Sequence, residues 1–309
     1  MALVGPTASG KTALAVRVAE RLVAQIVSAD SMQFYRGMEI GTGAPTREEL
    51  ARVKHHFVGF LEPAADFSAG RFGKLARRLI DDLNGRGERA VVVGGSGLYI
   101  TALINGLFDG PPKEPAIRAR LKAEAHESGV AALYARLETE DPDYADVIGA
   151  NDLRRIVRAL EVREITGTPL SVLHRRHQQN TQSLDAVQVA LEWPRDQLYA
   201  RIDARVDHMI EQGLLEEVQR LIDYGHGPDI ERLRSLGYRE MAAHLRGECT
   251  LAEATESMKR NTRRYAKRQL SWFRGDPRIH WLHVTPDRTI EELTDEALAL
   301  LEGRQSCEP

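Results

Sequence analysis

The stretch that most restricts the fold of this chain is GPTASGKT, which occupies residues 5–12 and follows the apolar segment ALV. It fits the pattern G-x-x-x-x-G-K-[ST], whose glycines let backbone N–H groups turn inward around a phosphate. A helix that begins at the end of such a loop adds the positive end of its dipole. We therefore predict a strand over 1–4, a phosphate-binding loop, and a helix over 11–23. The loop residues expected to bind phosphate or diphosphate are Gly5, Pro6, Thr7, Ala8, Ser9, Gly10, Lys11 and Thr12.

Two side chains at the end of this loop carry the expected chemistry. The Lys11 ammonium brings a positive charge to phosphate oxygens, and the Thr12 hydroxyl suits a ligand of Mg²⁺. We therefore expect Mg²⁺ as a cofactor, with Thr12 as its protein ligand. The loop by itself does not identify the molecule that carries the phosphate.

The rest of the chain first alternates strands with helices and then changes character. Strands are predicted over 24–30 and 89–97 with a helix over 70–86, an alternation that is typical of a parallel sheet. From DGPPKEP, residues 109–115, the pattern is helical and charged until a strand returns at 186–193. The later predicted elements are helices over 195–224, 235–246, 251–273 and 290–302 and a strand over 278–284.

These patterns predict an α/β fold, with a P-loop NTPase-like parallel sheet flanked by helices and an inserted all-helical domain. A chain of 309 residues is long enough for one such core and an insertion. The predicted boundaries are 1–111 for the first part of the core, 112–185 for the insertion, and 186–309 for the second part.

Polar residues follow two further predicted strands. Asp30 ends AQIVSAD, and Ser96 lies in GGSG after the strand RAVVV. Because ligands of such sheets bind at the carboxyl ends of the strands, we expect Asp30, Ser96 and the phosphate loop to meet in one crevice. Asp30 could hold a metal, act as a general base or cap a helix. Ser96 could contact a substrate or belong to a plain turn.

A basic run lies near the end of the chain. Residues 258–274, MKRNTRRYAKRQLSWFR, contain seven Lys or Arg residues and no Asp or Glu. Arginine with interleaved aromatic residues, here Tyr265 and Trp272, suits phosphates and unstacked bases, although a solvated helix face is the alternative. The cations expected to contact RNA are Arg263, Arg264, Lys267 and Arg268. In NDLRRIVRALEV, residues 151–162, the arginines fit either a second RNA-facing patch or a salt-bridged helix.

Composition limits the partners. The formal net charge is −3, so a nucleic acid would have to be recognised by a local patch. The two cysteines, Cys249 and Cys307, form neither a spaced metal cluster nor a disulfide framework, which indicates a reducing cytoplasm. Apolar runs fall short of the ~18 residues of a membrane span, so no membrane partner is expected.

Several stretches, in order along the chain, resemble the successive motifs of the tRNA dimethylallyltransferases. They are GPTASGKT, SADSMQFYRGMEIGT, VVGGSGLYI, NDLRRIVRALEV, SLGYREM and NTRRYAKRQLSWFR. The resemblance implies transfer of the dimethylallyl group of dimethylallyl diphosphate to the exocyclic N6 amine of the adenine 3′-adjacent to the anticodon, with release of pyrophosphate. The loop would then hold the diphosphate of an isoprenoid, and no ATP would be consumed.

The resemblance also implies roles for single residues. Asp30 matches the family's general base, and Ser96 stands where the family commonly has threonine, which keeps the hydroxyl and loses a methyl group. Arg205 matches an arginine that contacts the diphosphate, and Lys11 would help to neutralise it. The positions expected to contact tRNA are Asp30, Ser31, Met32, Gln33, Ser96, Arg118, Arg154, Arg155, Ile156, Val157, Arg158, Ser235, Leu236, Gly237, Tyr238, Arg239 and Glu240.

The same resemblance implies an organisation. The helical insertion would clamp the anticodon stem-loop of the tRNA, and the basic helix would hold its backbone. The eukaryotic members carry a zinc finger beyond the core, and this sequence has no Cys/His cluster there, which favours the compact bacterial form. We expect a cytoplasmic monomer.

Three other functions remain to be distinguished. A related enzyme class prenylates free AMP, ADP or ATP, but it has less use for a basic helix and an inserted clamp. A P-loop small-molecule kinase usually needs several arginines around the transferred phosphoryl group, and the region after Ser96 has none before Arg118. A non-catalytic RNA-binding protein would not need Lys11, Thr12, Asp30 and Ser96 together.

Overall fold

The computed structural model describes residues 1–285 and 287–305, which leaves Cys307 outside the described residues. The chain forms two compact units. Unit 1 comprises Met1–Ile104 and the chain from Asp185 onward, and unit 2 comprises Asn105–Leu184. Unit 2 begins before residue 112, the predicted start of the insertion, because Phe108 packs against the apolar core of this unit.

Unit 1 is built on one parallel sheet, as predicted. Its six strands are β1 (Ala2–Val4), β2 (Ala24–Ser28), β3 (His55–His56), β4 (Arg89–Gly94), β5 (Gln188–Glu192) and β6 (Ile279–His283). The order is β3-β2-β4-β1-β5-β6, and every pairing is parallel. Val4 pairs with Gly94, and Ser28 pairs with Val93. The carboxyl ends of β1, β4 and β2 therefore lie side by side.

Helices make up most of the remaining regular structure. In chain order they are α1 (Lys11–Leu22), α2 (Glu39–Thr42), α3 (Arg47–Arg52), α4 (Ala69–Gly85), α5 (Gly97–Ile104), α6 (Pro115–Ser128), α7 (Val130–Glu140), α8 (Pro142–Ala145), α9 (Leu153–Thr166), α10 (Leu170–Asn180), α11 (Arg195–Glu211), α12 (Leu214–Asp223), α13 (Gly227–Leu233), α14 (Tyr238–Leu245), α15 (Leu251–Arg274) and α16 (Ile290–Gln305). Helices α6 to α10 belong to unit 2. Within the described ranges, no helix is long and apolar enough to cross a membrane.

The predicted single helix over 195–224 is wrong. The structure has α11 and α12 instead, separated at Gly213, whose φ of +93° an α-helix does not contain. Gly237, with φ +86°, likewise delays the start of α14 beyond the predicted residue 235. The short elements α2, α3, α13 and β3 were not predicted, because two to seven residues are too few to show a period.

Apolar packing fixes the segments around the carboxyl ends of the strands. Leu14 and Val18 of α1 are four residues apart and therefore lie on one face of the helix, and both are buried in the same core as the strand residue Ile26. Beyond β2, the buried ring of Phe34 contacts the ring of Phe67, with centroids 5.2 Å apart. The remaining rings that contact Phe34 belong to Phe60, Phe72 and Tyr99. This aromatic cluster holds the loop that begins at Asp30.

Unit 2 has its own core, and a buried carboxylate lies in it. Glu161 of α9 has no exposed surface and accepts hydrogen bonds from Arg118 Nε at 2.7 Å and from Arg158 Nη1 at 2.7 Å. These two guanidinium groups compensate a buried charge, so removing either of them would destabilise unit 2. The arginines of residues 151–162 were expected to form either an RNA-facing patch or a salt-bridged helix. The contact of Arg158 with Glu161 supports the salt-bridged helix.

This packing corrects the prediction that Ile156 and Val157 contact tRNA. Ile156 is fully buried and Val157 is 3% exposed, and both belong to the apolar core of unit 2. A buried apolar side chain cannot bind a polyanion. Arg154 and Arg155, on the same helix, are exposed.

Candidate active site

The phosphate loop has the backbone expected of it. Gly10 has φ +92° and immediately precedes α1, so the first N–H groups of the helix face the loop. Two carbonyl groups of the loop are held from outside. Trp193 Nε1 donates to Ser9 O at 2.8 Å, and Arg201 Nε donates to Ala8 O at 2.9 Å. With the Ser9 and Ala8 carbonyls engaged by these donors, the loop can direct N–H groups toward an anion.

Two cations converge beside this loop. Lys11 Nζ donates to Pro6 O at 3.2 Å, and burial lowers the pKa of Lys11 to about 8, an effect that the Asp30 carboxylate opposes. Burial also lowers the pKa of Arg205. Within the part of the chain that the structure describes, neither cation is in an ion pair with a carboxylate. Buried cations without such partners favour an anionic ligand.

Asp30 lies at the end of β2, facing a cavity of about 330 Å³ that Thr7, Arg205 and Tyr265 also line. Its Oδ1 accepts a hydrogen bond from the backbone N–H of Met32 at 3.1 Å. This contact belongs to a turn, and the next helix begins only at Glu39, so Asp30 does not cap a helix. The carboxylate is therefore placed between the phosphate loop and the cavity.

Ser96 is brought next to Asp30, as predicted, through Ser31. Ser96 Oγ accepts from Ser31 N at 3.0 Å and donates to Ser31 Oγ at 3.1 Å. Ser96 is 7% exposed, and its neighbour Ser31 lines the cavity. The Ser96 hydroxyl thus fixes the turn that carries Asp30.

The cavity combines polar and apolar walls. Asp30, Arg205, Arg239 and Arg268 supply charged groups to its lining. Burial raises the pKa of Tyr265, another lining residue, to about 12, so its phenol stays protonated. The apolar wall consists of Ile202, Val206, Met209, Leu233, Leu236 and Met258. Such a cavity suits a ligand with a short apolar part and a polar reacting group.

The basic residues of α15 have different environments. Arg264 and Lys267 are exposed, and the Arg268 guanidinium lies 5.7 Å from the ring centroid of Tyr265 at the cavity. Arg263, in contrast, donates to both oxygens of Asp203 on α11, at 2.5 and 2.6 Å. Because its guanidinium is engaged within unit 1, the structure does not support the predicted contact of Arg263 with RNA.

The residues of the predicted tRNA-contacting stretch 235–240 also differ in their environments. Ser235, Leu236 and Arg239 line the cavity. Tyr238 is fully buried, and Glu240 is 7% exposed. Glu240 accepts from the backbone N–H of Gly237 and from Asn261 Nδ2, both at 2.8 Å. The side chains of Tyr238 and Glu240, together with Gly237, thus serve the fold, which corrects their predicted contact with tRNA.

The stretch 31–33 is divided in the same way. Ser31 and Met32 line the cavity. Gln33 accepts from Ser28 Oγ at 3.0 Å and donates to Gly43 O at 3.1 Å. Its amide is therefore used inside the protein, although the residue is only half-buried, and its contact with tRNA stays a prediction.

Sequence reasoning missed Gln269 as a site residue. Its Oε1 accepts from the backbone N–H of Thr7 at 2.9 Å, and its Nε2 donates to Gly95 O at 2.8 Å. One amide on α15 thus ties the phosphate loop to the turn after β4. A signal was present, because Gln269 is an uncharged polar residue between the basic residues of the run.

A metal could be held beside the loop. Thr12, Ser28, Asp30 and His55 line a cavity of about 10 Å³, which has room for about one water-sized ligand. His55 Nδ1 faces Val53 O at 2.8 Å, while the buried Nε2 has no hydrogen-bond partner among the described residues. No group of three or more His, Cys, Asp or Glu residues suited to a metal occurs in the described ranges. Mg²⁺ needs no such group, since it uses one or two carboxylates together with substrate phosphates and water.

Comparison with protein families gives one match over most of the chain. The family model described as IPP transferase matches residues 33–276. This range contains the Ser96 turn, Arg205 on α11 and the whole of α15, and it begins after the phosphate loop and Asp30.

Known relatives and solved structures agree with this match. The tRNA dimethylallyltransferase 2 of Geotalea uraniireducens is 48% identical over 280 residues, which cover 91% of this chain and 90% of that protein. The tRNA dimethylallyltransferase of Geobacter sulfurreducens is 47% identical over 278 residues, covering 90% of this chain and 89% of that protein. The crystal structure of the full-length tRNA isopentenylpyrophosphate transferase of Bacillus halodurans has a TM-score of 0.70 at 39% identity, covering 99% and 97% of the two chains. A eukaryotic dimethylallyltransferase acting on tRNA has a TM-score of 0.83 at 27% identity, covering 100% of this chain and 79% of that one.

Proposed function

The chain belongs to the IPP transferase family, and we propose that it transfers the dimethylallyl group of dimethylallyl diphosphate to the N6 amine of the adenine 3′-adjacent to the anticodon in tRNA. The products are isopentenyladenosine in the tRNA and pyrophosphate. The enzyme is thus a prenyltransferase whose phosphate loop binds the diphosphate of the isoprenoid.

One observation carries this proposal, the pair of cations without carboxylate partners beside the phosphate loop. Lys11 and Arg205 both flank Asp30, and both have pKa values lowered by burial. A diphosphate bound against them would favour their charged forms and oppose the lowering of both pKa values. As the bond between carbon and oxygen breaks, negative charge grows on the leaving diphosphate, and these cations and the loop N–H groups stabilise it.

Asp30 is the general base of the proposed reaction. The N6 amine is a weak nucleophile because its lone pair is delocalised into the adenine ring. As nitrogen forms its bond to the allylic carbon, the electron pair of the breaking C–O bond goes to the diphosphate, and Asp30 takes a proton from N6. Ser96, through Ser31, keeps the turn that carries this carboxylate in place.

Mg²⁺ is the proposed cofactor, and the donor set beside the loop fits it. Thr12 would hold the ion, with Asp30 as the nearby carboxylate. When bound, Mg²⁺ would neutralise part of the charge of the diphosphate. The unpartnered Nε2 of His55 could accept a hydrogen bond from water in the same small cavity.

We propose that exposed cations of unit 1 contact the tRNA. Arg264 and Lys267 are exposed on α15, and Arg239 and Arg268 lie at the cavity. A base of the anticodon loop is already single-stranded, so bringing it into the cavity costs less than extracting it from a duplex. In unit 2, the exposed Arg154 and Arg155 support the proposed role of the helical insertion as a clamp.

The proposal is tested by supplying the acceptors separately. The wild-type enzyme is incubated with dimethylallyl diphosphate and either unmodified tRNA or AMP, and pyrophosphate release is measured. We expect release with tRNA, a severe reduction of it in Lys11→Ala, and near wild-type release in Lys54→Ala, a control at an exposed lysine of the same unit. Release with AMP but not with tRNA would favour an adenylate prenyltransferase.

A further inference from the structure

Glu217 is a buried carboxylate that the proposed reaction does not use. It lies on α12, is 3% exposed, and accepts hydrogen bonds from the backbone N–H groups of Ile40 at 2.9 Å and Gly41 at 3.1 Å. Both donors belong to α2, the four-residue helix over Glu39–Thr42. A buried carboxylate thus holds a helix that is too short to be stable by itself.

Tyr238 completes this contact. Its hydroxyl donates to Glu217 Oε1 at 2.6 Å, and burial together with the Glu217 charge raises the pKa of Tyr238 far above its usual value, so it stays a donor. The ring also packs on α2. A Cβ placed on Gly41 would lie 2.4 Å from the Tyr238 ring, which explains why the backbone can approach it only at a glycine.

The residue that follows α2 contacts Arg205, one of the cations proposed to bind the diphosphate. Gly43, directly after α2, has φ +56°, and a Cβ placed there would lie 1.7 Å from Arg205 Nη2. The Gly43 carbonyl accepts from Gln33 Nε2. Gly43 also lines a second cavity together with Lys11, Thr12 and Arg205. The Arg205 guanidinium therefore lies directly against the residue that follows α2.

We propose that Glu217 and Tyr238 are a positioning pair, which holds α2 so that Gly43 keeps the Arg205 guanidinium in place for the diphosphate. This inference rests on the proposed function, because it assigns to Arg205 a diphosphate as ligand. It gives Tyr238 a role in place of the tRNA contact that the structure corrects. Neither member of the pair touches the substrate, so both act through Arg205.

The first test is the binding of inorganic pyrophosphate by titration calorimetry. Glu217→Gln keeps the size of the side chain, but its NH₂ group faces a backbone N–H donor instead of accepting from it. We expect pyrophosphate affinity to fall on the order of tenfold, as for residues that orient the direct ligands of a site. Asp141→Asn is the control, since Asp141 is 2% exposed and accepts from two backbone N–H groups in unit 2, at Tyr144 and Ser171. It should leave pyrophosphate affinity unchanged.

A second variant covers the case in which Glu217→Gln does not fold. Tyr238→Phe retains the ring that packs on Gly41 and removes a single donor, so it should fold and weaken pyrophosphate binding by a smaller factor. Wild-type affinity in Tyr238→Phe, or in a folded Glu217→Gln, would overturn the inference.

A double-mutant cycle with Arg205 distinguishes a positioning role of Glu217 from a general stabilising role. In a double-mutant cycle, Glu217→Gln should have little further effect on pyrophosphate affinity once Arg205→Lys is present. Additive effects of the two substitutions would overturn the inference, because Glu217 would then act independently of Arg205. If the wild-type protein does not bind pyrophosphate at all, the proposed function itself fails, which is distinct from either of these results.

Discussion

Arg263 of α15 forms an ion pair with Asp203 of α11, with its Nη1 2.5 Å from Oδ1. Lys259 forms a similar pair with Asp207, one turn along both helices, at 2.7 Å. The basic run is therefore not one uniform cationic surface. One set of cations joins α15 to α11, and another set, which includes Arg264 and Lys267, is exposed.

This division predicts different outcomes for neighbouring substitutions. Arg264→Ala with Lys267→Ala should weaken tRNA binding and reduce the salt dependence of the affinity by about one unit of slope for each phosphate that is no longer neutralised. Arg263→Ala is the matched control, and it should lower the melting temperature with little change in that slope. The measurements are tRNA affinity at several salt concentrations and a thermal melt. An unchanged slope in the double variant would remove α15 from the tRNA-binding surface.

The general base is tested by Asp30→Asn. This change keeps the size of the side chain but removes its ability to take a proton from the amine, so turnover should fall roughly 10²–10⁴-fold. Affinity for tRNA should change little, since one neutral amide replaces one carboxylate. Single-turnover transfer with saturating substrates is the measurement. A near-normal rate would show that another group removes the proton.

Ser96 is expected to matter through its hydroxyl. Ser96→Ala removes both hydrogen bonds to Ser31, so the turn that carries Asp30 loosens and kcat should decrease. Ser96→Thr retains the hydroxyl and should keep most of the activity. Equal kcat values in the wild type and Ser96→Ala would leave Ser96 as an ordinary turn residue.

Unit 2 should show a pH-dependent stability that comes from Glu161. Although burial acts to raise the pKa of this carboxyl, hydrogen bonds from Arg118 and Arg158 outweigh it and lower the pKa from 4.5 to about 2. Because the folded value is the lower one, the stabilisation is present above pH 4.5 and is lost as the pH falls toward 2.

Acid unfolding of the wild type and of Glu161→Gln measures this effect. Glu161→Gln should be less stable near neutral pH, since it leaves two arginines without their carboxylate, and the difference in the free energy of unfolding should narrow below pH 4.5. A difference that is constant over this range would contradict the assigned role of the ion pairs.

The features that could be read from the sequence are those that local pattern determines. GPTASGKT predicts a strand, a loop and a helix because the glycines and the lysine that form the phosphate-binding loop are neighbours in the sequence. Asp30 and Ser96 were expected at the same place because parallel strands end at the same edge of a sheet. The structure brings both together through Ser31.

The features that could not be read depend on contacts between distant segments. A motif gives the positions of Tyr238, Ile156 and Val157 but does not say that their side chains point into a core. The pairing of Arg263 with Asp203 joins residues 60 positions apart, and the contact of Gln269 with Thr7 joins residues 262 positions apart. Predicting such contacts requires the packing of α11 and α15, which periodicity does not supply.

The most direct test of the proposed activity is the mass of the nucleosides obtained from tRNA after incubation with the enzyme, Mg²⁺ and dimethylallyl diphosphate. We predict that one adenosine, 3′-adjacent to the anticodon, gains the mass of one dimethylallyl group, and that Asp30→Asn and Lys11→Ala lose this product. ATP is not needed for it. Unmodified tRNA accompanied by steady ATP consumption that depends on Lys11 would contradict the proposed transfer and favour a kinase or NTPase.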